Sequence, residues 1–215
     1  MIAHHSGASA PRSPGESVAS AKQELRRAAR QIRDALDPER RIAAAESAAR
    51  HLLALRELAA ARRVAVFAAV GSELDAGPAV RGLRARGIEL CYPRVVRGTR
   101  RLEFHLVASE NQLAPGAFSI PEPAASAPVA TVASIDAFLV PGLAFDAGGA
   151  RIGWGRGYYD RSLAGFSDQL RIGYCFDCQL VAHVPREASD LPMHMLVTES
   201  GALRPGGGDR RDEVP

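Results

Sequence analysis

The densest group of potentially reactive residues lies at positions 151–160, in the stretch Arg-Ile-Gly-Trp-Gly-Arg-Gly-Tyr-Tyr-Asp. Three glycines alternate along it: Gly153, Gly155 and Gly157. This spacing lets the backbone approach a ligand closely and direct several N–H groups toward it. Arg151 and Arg156 add charged donors that suit phosphate oxygens. A helix is expected to begin where the glycines end, which would add its positive N-terminal pole.

Asp160 would lie one turn into this helix, where its carboxylate could hold Mg²⁺ directly or through water. The stretch matches neither of the common phosphate loops, because it lacks both G-x-G-x-x-G and a terminal G-K-[ST]. A turn with only a structural role is therefore the alternative for the glycines alone. The two arginines, the helix start and the aspartate together favour phosphate binding.

Lysine is almost absent from the chain, since Lys22 is the only lysine among the 27 Lys and Arg residues. The Ala- and Arg-rich composition indicates a bias that favours arginine. A retained lysine then suggests a site that needs a compact ammonium and does not accept a planar guanidinium. Chance retention explains this single observation equally well.

The three cysteines, Cys91, Cys175 and Cys178, do not form a disulfide framework in a chain of 215 residues. Their odd number fits a reducing cytoplasm. Cys175 and Cys178 have C-x-x-C spacing, but no second pair follows to complete a zinc site, and the motif follows a predicted strand without opening a helix. We therefore expect ordinary thiols rather than a metal or redox centre.

Composition limits the function classes. The net charge of +3 and pI near 9.0 suit either nucleic acid or anionic small molecules. The basic residues are scattered without interleaved aromatics, which argues against nucleic-acid binding. No apolar run is long enough to span a membrane. We expect a cytoplasmic protein with a disordered leader at 1–20 and a disordered tail at 201–215.

Apolar periodicity predicts helices at 21–35, 38–61, 76–86 and 157–163. The first two would bury stripes that include Ile32 and Ile42, respectively. Asp37 before Pro38 predicts a helix N-cap. Short apolar runs predict strands at 63–70, 88–96, 102–107, 135–140, 171–176 and 195–198, while 111–131 is Pro-rich and is expected to be irregular.

The strand–helix–strand order with short links implies parallel pairing. We therefore predict a single three-layer α/β/α domain over 21–200, with a mostly parallel sheet. Such sheets bind ligands beyond the carboxyl ends of their strands. Two predicted loops meet this condition, at 71–75 and 141–160.

Several segments together resemble a known family. The pattern R-[LIV]-G-x-G-x-G-[YF]-Y-D at 151–160, after V-P-x-[LV]-x-F-D at 140–146, is similar to the signature of the 5-formyltetrahydrofolate cyclo-ligases, or 5,10-methenyltetrahydrofolate synthetases. Other matching segments follow the family's order: K-x-x-x-R at 22–26, E-L-D at 73–75, P-R at 93–94, I-P-E-P at 120–123, and the closing segments at 190–192 and 197–199. The resemblance covers roughly 21–199.

The resemblance implies cyclisation of 5-formyltetrahydrofolate to 5,10-methenyltetrahydrofolate, dependent on ATP and Mg²⁺, with release of ADP and phosphate. The formyl oxygen would attack the γ-phosphate to give a phosphorylated iminium, which the 10-position nitrogen then closes. In the family the N-terminal Lys and the Arg four residues later bind ATP phosphates. Lys22 and Arg26 have this spacing, which places both on one helix face.

The resemblance also assigns roles to individual residues. Lys22 and Arg156 would be catalytic. The ATP-binding residues would be Lys22, Arg26, Arg151, Gly153, Trp154, Gly155, Arg156, Gly157, Tyr158 and Tyr159. The folate-binding residues would be Ala68, Glu73, Trp154, Tyr158 and Tyr159, with Glu73 gripping the amino-pyrimidine end. Asp160 and Asp190 would hold the metal.

Three residues depart from the family's pattern. Trp154 occupies a position where some relatives carry Arg. Arg156 occupies a position that is Lys or Gly in other relatives. His194 occupies a position where some relatives carry an acidic residue. One of Tyr158 and Tyr159 could instead only start a packed helix.

Two other functions stay open. One is an ATP-dependent enzyme of this fold with a non-folate acceptor, and Glu73 is the residue that discriminates against it. The other is a nucleic-acid binder, which would show steep salt dependence and no ATP turnover. We expect small-molecule partners only, and a monomer.

Overall fold

The structure, a computed structural model, describes residues 14–206, with side chains from residue 18 onward. The described residues form four α-helices: α1 (Pro14–Asp34), α2 (Pro38–Leu53), α3 (Gly77–Ala85) and α4 (Tyr158–Ser162). Asp37 caps α2 as predicted, because its side chain accepts hydrogen bonds from the backbone N–H groups of Glu39 and Arg40. Within residues 14–206, no helix is long and apolar enough to cross a membrane.

The strands of the described residues are β1 (Arg63–Ala65), β2 (Glu89–Val95), β3 (Leu102–Leu106), β4 (Leu113–Pro115), β5 (Pro121–Pro123), β6 (Val129–Ala130), β7 (Ala137–Val140), β8 (Ala144–Asp146), β9 (Arg151–Ile152), β10 (Leu170–Tyr174), β11 (Leu180–Val181), β12 (Met195–Thr198) and β13 (Gly201–Leu203). Eight of them form one sheet in the order β13-β12-β10-β7-β1-β2-β3-β6. Two smaller sheets have the orders β11-β8-β9 and β4-β5.

The centre of the large sheet is parallel, which confirms the predicted α/β class. Strands β12, β10, β7, β1 and β2 pair in parallel. The outer strands β3, β6 and β13 pair antiparallel. All four residues of β7 are buried, as expected for a strand that is covered on both faces.

The two faces of the sheet carry different layers. On one face, α2 and α3 pack on alternate strand residues such as Val64 and Leu139. On the other, residues such as Ala65 and Phe138 pack against Phe145 of β8 and Leu163 at the end of α4. Helix α1 contacts β8 of the small sheet. Long helices therefore cover one face, while a one-turn helix and loops cover most of the other.

Both boundaries predicted for the folded region fall inside regular structure. Helix α1 begins at Pro14, so residue 20 lies within a helix, and β13 lies beyond residue 200. Residues 1–13 and 207–215, which include most of the predicted leader and tail, lie outside the described residues.

The predicted apolar stripes of the first two helices were wrong at two positions. Ile32 is 52 % exposed and Ile42 is 68 % exposed. Ala29, which the apolar periodicity places on the same stripe, is buried as predicted, but Lys22 and Arg33 also turn inward. The reason is that α1 faces loops with carboxylate, hydroxyl and carbonyl groups, which accept hydrogen bonds from buried cations.

Short strands were also missed. The segment 111–131, which we expected to be irregular, contains β4, β5 and β6. Prolines are tolerated there because β4 and β5 pair only with each other, which leaves their outer edges without ladder partners within that sheet. Strands β8, β9, β11 and β13 were not predicted either, since each has only two or three residues.

Gly173 in β10 tests how tightly the centre of the sheet is packed. An added Cβ would lie 2.6 Å from Cε1 of Phe145 and 2.7 Å from Cδ2 of Leu196. We expect Gly173→Ala to lower the free energy of unfolding by about 2 kcal/mol through overpacking. Urea unfolding measures the loss. The double variant with Phe145→Leu should recover part of it, and equal losses in single and double variants would contradict the steric explanation.

Candidate active site

A cleft of about 510 Å³ opens at the carboxyl ends of the central parallel strands. The loop after β1, the end of β2 and the loop after β7 all contribute to its wall. This is the edge of the sheet at which the sequence analysis predicted ligand binding. Ten of the predicted site residues line the cleft: Ala68, Glu73, Arg151, Gly153, Trp154, Gly155, Arg156, Gly157, Tyr158 and Tyr159. The other four, Lys22, Arg26, Asp160 and Asp190, lie outside its lining.

The glycine-rich loop adopts a conformation that requires glycine at two positions. Gly155 and Gly157 have φ values of 84° and 65°, in the left-handed region. Arg26 of α1 donates from Nε to the carbonyl oxygen of Gly153 at 2.9 Å, which fixes the loop against the helix. Arg156 projects into the cleft from the same loop.

Helix α4 is shorter than predicted. It has five residues, Tyr158–Ser162, and Gly157 caps it without a side-chain hydrogen bond. A single turn aligns few peptide dipoles, so its positive pole is weaker than that of a full helix. The arginines must therefore supply most of the positive charge at this end of the cleft.

Arg151 connects the cleft to Asp160. Its Nη2 donates to both carboxylate oxygens of Asp160 at 3.2 Å, and its Nη1 donates to the carbonyl oxygen of Pro141 at 3.2 Å. Its guanidinium carbon lies 5.7 Å from the centroid of the Tyr159 ring. Arg151 Nε is buried and has no hydrogen-bond partner among the described residues.

Lys22 is 6 % exposed and is held by two carboxylates. Its Nζ lies 2.6 Å from Asp190 Oδ2 and 3.3 Å from Glu187 Oε2. Leu191, which follows Asp190 in the chain, donates its backbone N–H to Asp160 Oδ1 at 3.3 Å. The two predicted metal carboxylates therefore lie on adjacent segments, and each is paired with a cation.

The described residues contain no group of three or more His, Cys, Asp and Glu side chains that could hold a metal by themselves. This arrangement fits Mg²⁺ better than zinc, because Mg²⁺ is usually bound by one or two carboxylates, with water and phosphate oxygens completing its shell. A zinc site would require three or four protein ligands. Asp160 and Asp190 carry carboxylate oxygens, the donor type that Mg²⁺ accepts.

Glu73 forms the acidic wall of the cleft. Its Oε2 accepts the backbone N–H of Val70 at 3.1 Å, and its Oε1 accepts the indole N–H of Trp154 at 3.5 Å. Arg33 Nη1 lies 3.8 Å from Oε1. Burial raises the pKa of Glu73, while these three neighbours oppose that rise. The carboxylate is thus positioned and buried, with little solvent to stabilise its charge.

Phe118 is a cleft residue that sequence reasoning missed. It lies in the turn before β5 at a φ of 58°, and its ring centroid is 6.1 Å from that of Tyr158. The guanidinium carbon of Arg156 lies 4.0 Å from the centroid of the Phe118 ring. The only signal in the sequence was its place just before I-P-E-P, since a left-handed backbone at phenylalanine has no local sequence signature.

A second depression of about 440 Å³ lies along α1. Helix α1 lines it with Arg26, Arg27 and Arg30, and Trp154 borders both this depression and the cleft. Its cations extend the positive potential of the loop along the helix. Oxyanions are attracted to such a surface.

The cysteines do not form a second centre. Cys91, Cys175 and Cys178 are free, and Cys91 and Cys175 are buried. Burial raises the pKa of Cys91 to about 12 and raises those of Cys175 and Cys178. Thiols with raised pKa values carry little thiolate and are poor nucleophiles and metal ligands. This supports the interpretation of ordinary thiols.

Comparison with known proteins decides the family. The model of the 5-formyltetrahydrofolate cyclo-ligase family matches residues 18–199. The chain belongs to this family. The resemblance that was inferred from the glycine-rich loop and its accompanying segments is thereby confirmed, and these segments are shared with a family of enzymes.

Relatives within the cyclo-ligase family match along most of their length. The 5-formyltetrahydrofolate cyclo-ligase of Escherichia coli (strain K12) is 32 % identical over 178 residues, which cover 80 % of this chain and 96 % of that protein. The yeast cyclo-ligase of Saccharomyces cerevisiae is 31 % identical over 211 residues, covering 85 % and 97 %.

Solved structures agree with the fold. The NMR structure of Aquifex aeolicus 5,10-methenyltetrahydrofolate synthetase has a TM-score of 0.75 and 31 % identity, and it covers 90 % of this chain and 99 % of that one. A 5,10-methenyltetrahydrofolate synthetase from Mycoplasma pneumoniae has a TM-score of 0.68 at 22 % identity, which supports the fold alone.

The arrangement can bind an asymmetric ligand or two different ligands. Cations and close backbone at the glycine-rich loop suit oxyanions, while Glu73 suits a group with paired N–H donors. The aromatic rings of Tyr158 and Phe118 contact each other and add flat apolar surface to the cleft.

Gly155 allows a direct test of oxyanion binding. A Cβ there would lie 3.2 Å from the guanidinium of Arg26, and the backbone is left-handed. We expect Gly155→Ala to lose about 1 kcal/mol of unfolding free energy from backbone strain. By displacing Arg26, it should also weaken binding of inorganic tripolyphosphate about three- to fivefold. Urea unfolding and calorimetric titration measure the two effects.

Gly165 provides the matched control. Its φ of 83° is nearly the same, but an added Cβ would meet nothing within 4 Å. Gly165→Ala should therefore lose similar stability and keep its tripolyphosphate affinity. Equal affinities in the two variants would show that the loop at Gly155 does not shape an oxyanion site.

Proposed function

We propose that this protein catalyses the ATP- and Mg²⁺-dependent cyclisation of 5-formyltetrahydrofolate to 5,10-methenyltetrahydrofolate, with release of ADP and phosphate. The observation that carries the proposal is the single cleft that combines a buried carboxylate, Glu73, with a glycine-rich loop and its arginines. Family membership supports the same reaction.

The folate is proposed to bind with its amino-pyrimidine ring at Glu73. A carboxylate accepts two parallel N–H donors well, and the side chain of Glu73, which is 7 % exposed, lines the cleft. Ala68, Trp154, Tyr158 and Tyr159 would provide the flat apolar walls on either side of the pterin. This places the formyl group toward the glycine-rich loop.

ATP is proposed to bind with its phosphates at that loop. Backbone N–H groups at Gly153, Gly155 and Gly157 can approach phosphate oxygens closely. Arg26, Arg151 and Arg156 supply charged donors around them. Lys22 would exchange part of its pairing with Asp190 for a phosphate oxygen, since its ammonium is carried on a flexible side chain.

Asp160 and Asp190 would hold the metal. Both are oriented by cations and backbone N–H groups in the ligand-free protein. Magnesium, when bound, supplies positive charge to the phosphate oxygens during transfer. Arg151 and Lys22 balance the charge of the two carboxylates in its absence.

The reaction proposed at this site has two steps. The formyl oxygen attacks the γ-phosphorus of ATP, an O–P bond forms, and the bond to the β-phosphate oxygen breaks with release of ADP. The 10-position nitrogen then adds to the activated carbon, loses its proton, and phosphate leaves as the C–O bond breaks. Lys22 and Arg156 would stabilise the transferred phosphoryl group, because such transfers depend mainly on positioning and charge.

The deciding experiment follows the absorbance band of the methenyl product. Purified protein is mixed with 5-formyltetrahydrofolate and Mg-ATP at neutral pH, with parallel samples lacking ATP or Mg²⁺. We expect growth of the band only in the complete mixture. A flat trace from protein that binds ATP would reject the folate as acceptor, and absence of heat protection by folates would confirm that rejection.

Lys22→Arg tests the assignment of the single lysine. The buried position between Asp190 and Glu187 has room for a compact ammonium, and a guanidinium would direct its charge differently. We expect turnover to fall on the order of 100-fold while KM for the folate changes less than about twofold. Steady-state kinetics measures both values.

Arg56 is exposed and is not part of the cleft lining. Arg56→Lys therefore controls for an exchange between arginine and lysine as such, and it should leave turnover unchanged. Full activity in Lys22→Arg would remove Lys22 from the proposed mechanism.

We also propose that the protein acts as a cytoplasmic monomer without a nucleic-acid partner, which light scattering and salt-dependent binding assays can test.

A further inference from the structure

Among the described residues, Arg33 is the most buried cationic side chain without a role in the proposed reaction. It lies on α1, eleven residues after Lys22 and seven after Arg26, on the same side of the helix. It is 2 % exposed. Burying a guanidinium so completely is costly unless its donors are satisfied, so its contacts indicate what it is there to hold.

The contacts of Arg33 converge on three loops of the cleft. Its Nε donates to Ser72 Oγ at 3.0 Å, and its Nη1 points to the carbonyl oxygen of Gly142 at 3.5 Å and to Glu73 Oε1 at 3.8 Å. Its guanidinium carbon lies 5.8 Å from the centroid of the Trp154 ring. Ser72 in turn donates to Asp34, the next residue of α1.

The surroundings of Glu73 make Arg33 its only cationic neighbour in the described structure that affects its charge. From α1 it faces Arg33, from the glycine-rich loop it faces the indole of Trp154, and from α4 it faces the neutral phenol of Tyr159, whose own pKa burial raises. The backbone N–H of Val70 completes the set. Burial favours the protonated carboxyl, and Arg33 favours the carboxylate.

We propose that Arg33 is a positioning residue that keeps Glu73 ionised and oriented in the cleft and holds Trp154 beside it. The affinity for the ring bound at Glu73 therefore depends on α1, the same helix that carries Lys22 and Arg26. The positioning of Glu73 stands on the contacts alone, and the effect on a folate rests on the proposed function.

A measurement without ligand tests the positioning of Glu73 separately from the effect on folate binding. Trp154 is the only tryptophan of the chain and contacts Glu73, so its fluorescence reports the ionisation of that carboxyl. Glu73→Gln should abolish the acid transition in a fluorescence pH titration, which assigns it. Arg33→Gln should raise the midpoint by about one pH unit or more, because the opposing cation is lost.

Arg30 provides the matched control. Its guanidinium carbon also lies against the Trp154 ring, at 5.6 Å, but its side chain is 60 % exposed and pairs with Asp34. Arg30→Gln should leave the midpoint unchanged. An unchanged midpoint in Arg33→Gln would overturn the proposal, as would an equal shift in both variants.

The pH dependence of stability gives a second test. Because burial raises the pKa of Glu73 above its ordinary value of 4.5, the folded protein binds this proton more tightly than the unfolded chain. The contribution of Glu73 to stability therefore falls as pH rises from the unfolded-state pKa to the raised folded-state pKa. Arg33→Gln should raise the folded-state pKa further and so widen this interval. The unfolding free energy that the variant loses relative to wild type should therefore be larger at neutral pH than near pH 5, roughly the acid end of the interval.

The double variant Arg33→Gln/Glu73→Gln removes both charges and should recover most of the loss at neutral pH. If Arg33→Gln does not fold at neutral pH, the double variant decides: its folding would support the proposal, and its failure to fold would show that Arg33 only packs α1. Arg33→Lys, which keeps the charge but not the fork of donors, should keep its midpoint within about half a unit of wild type. A loss that is independent of pH and is not recovered by Glu73→Gln would show that Arg33 only packs α1.

Kinetics then tests the consequence for the ligand. In Arg33→Gln we expect KM for 5-formyltetrahydrofolate to rise about tenfold while KM for ATP stays within about twofold, with Arg33→Lys intermediate. Equal changes in both KM values would reject the link to the folate. A wild-type protein that does not convert the folate would reject the proposed function and leave the fluorescence result to decide the role of Arg33.

Discussion

Buried positive charge on the inward face of α1 is the constraint on which the cleft depends. The buried Lys22 and Arg33 and the half-buried Arg26 lie on one side of the helix, and each donates to a different part of the chain. Buried cations must keep partners, since an unpaired charge in the interior costs several kcal/mol, on the order of 3–5. The helix therefore cannot shift without breaking contacts to several loops, and these loops keep their relative positions.

The parts of the molecule that provide stability are distinct from those that form the site. Helices α2 and α3 pack on the central strands through a continuous apolar cluster that includes Leu52, Leu83 and Leu139. Apolar burial of this kind supplies most of the folding free energy. Buried ion pairs such as Lys22–Asp190 add little net stability because desolvation offsets their attraction. They determine geometry instead.

The polarity of the cleft follows from this division. Glu73 stands at one wall, and Arg151 and Arg156 stand at the glycine-rich loop. Two different ligands can bind in one orientation because each end attracts a different chemical group. The acidic residues near the cationic end, Asp160 and Asp190, are already paired with cations, so their charge is balanced before any ligand binds.

Features that depend on local chemistry were predictable from the amino acids alone: the glycine spacing of the loop, the Asp37 cap, the strand at 195–198 and the i, i+4 pair of Lys22 and Arg26. Long-range packing instead sets which face of α1 turns inward, exposing Ile32 and burying Arg33. It also joined Lys22 to Asp190, 168 residues away. Periodicity identifies a helix, but the partners of its faces come from distant segments, so the direction in which a side chain points is a non-local property.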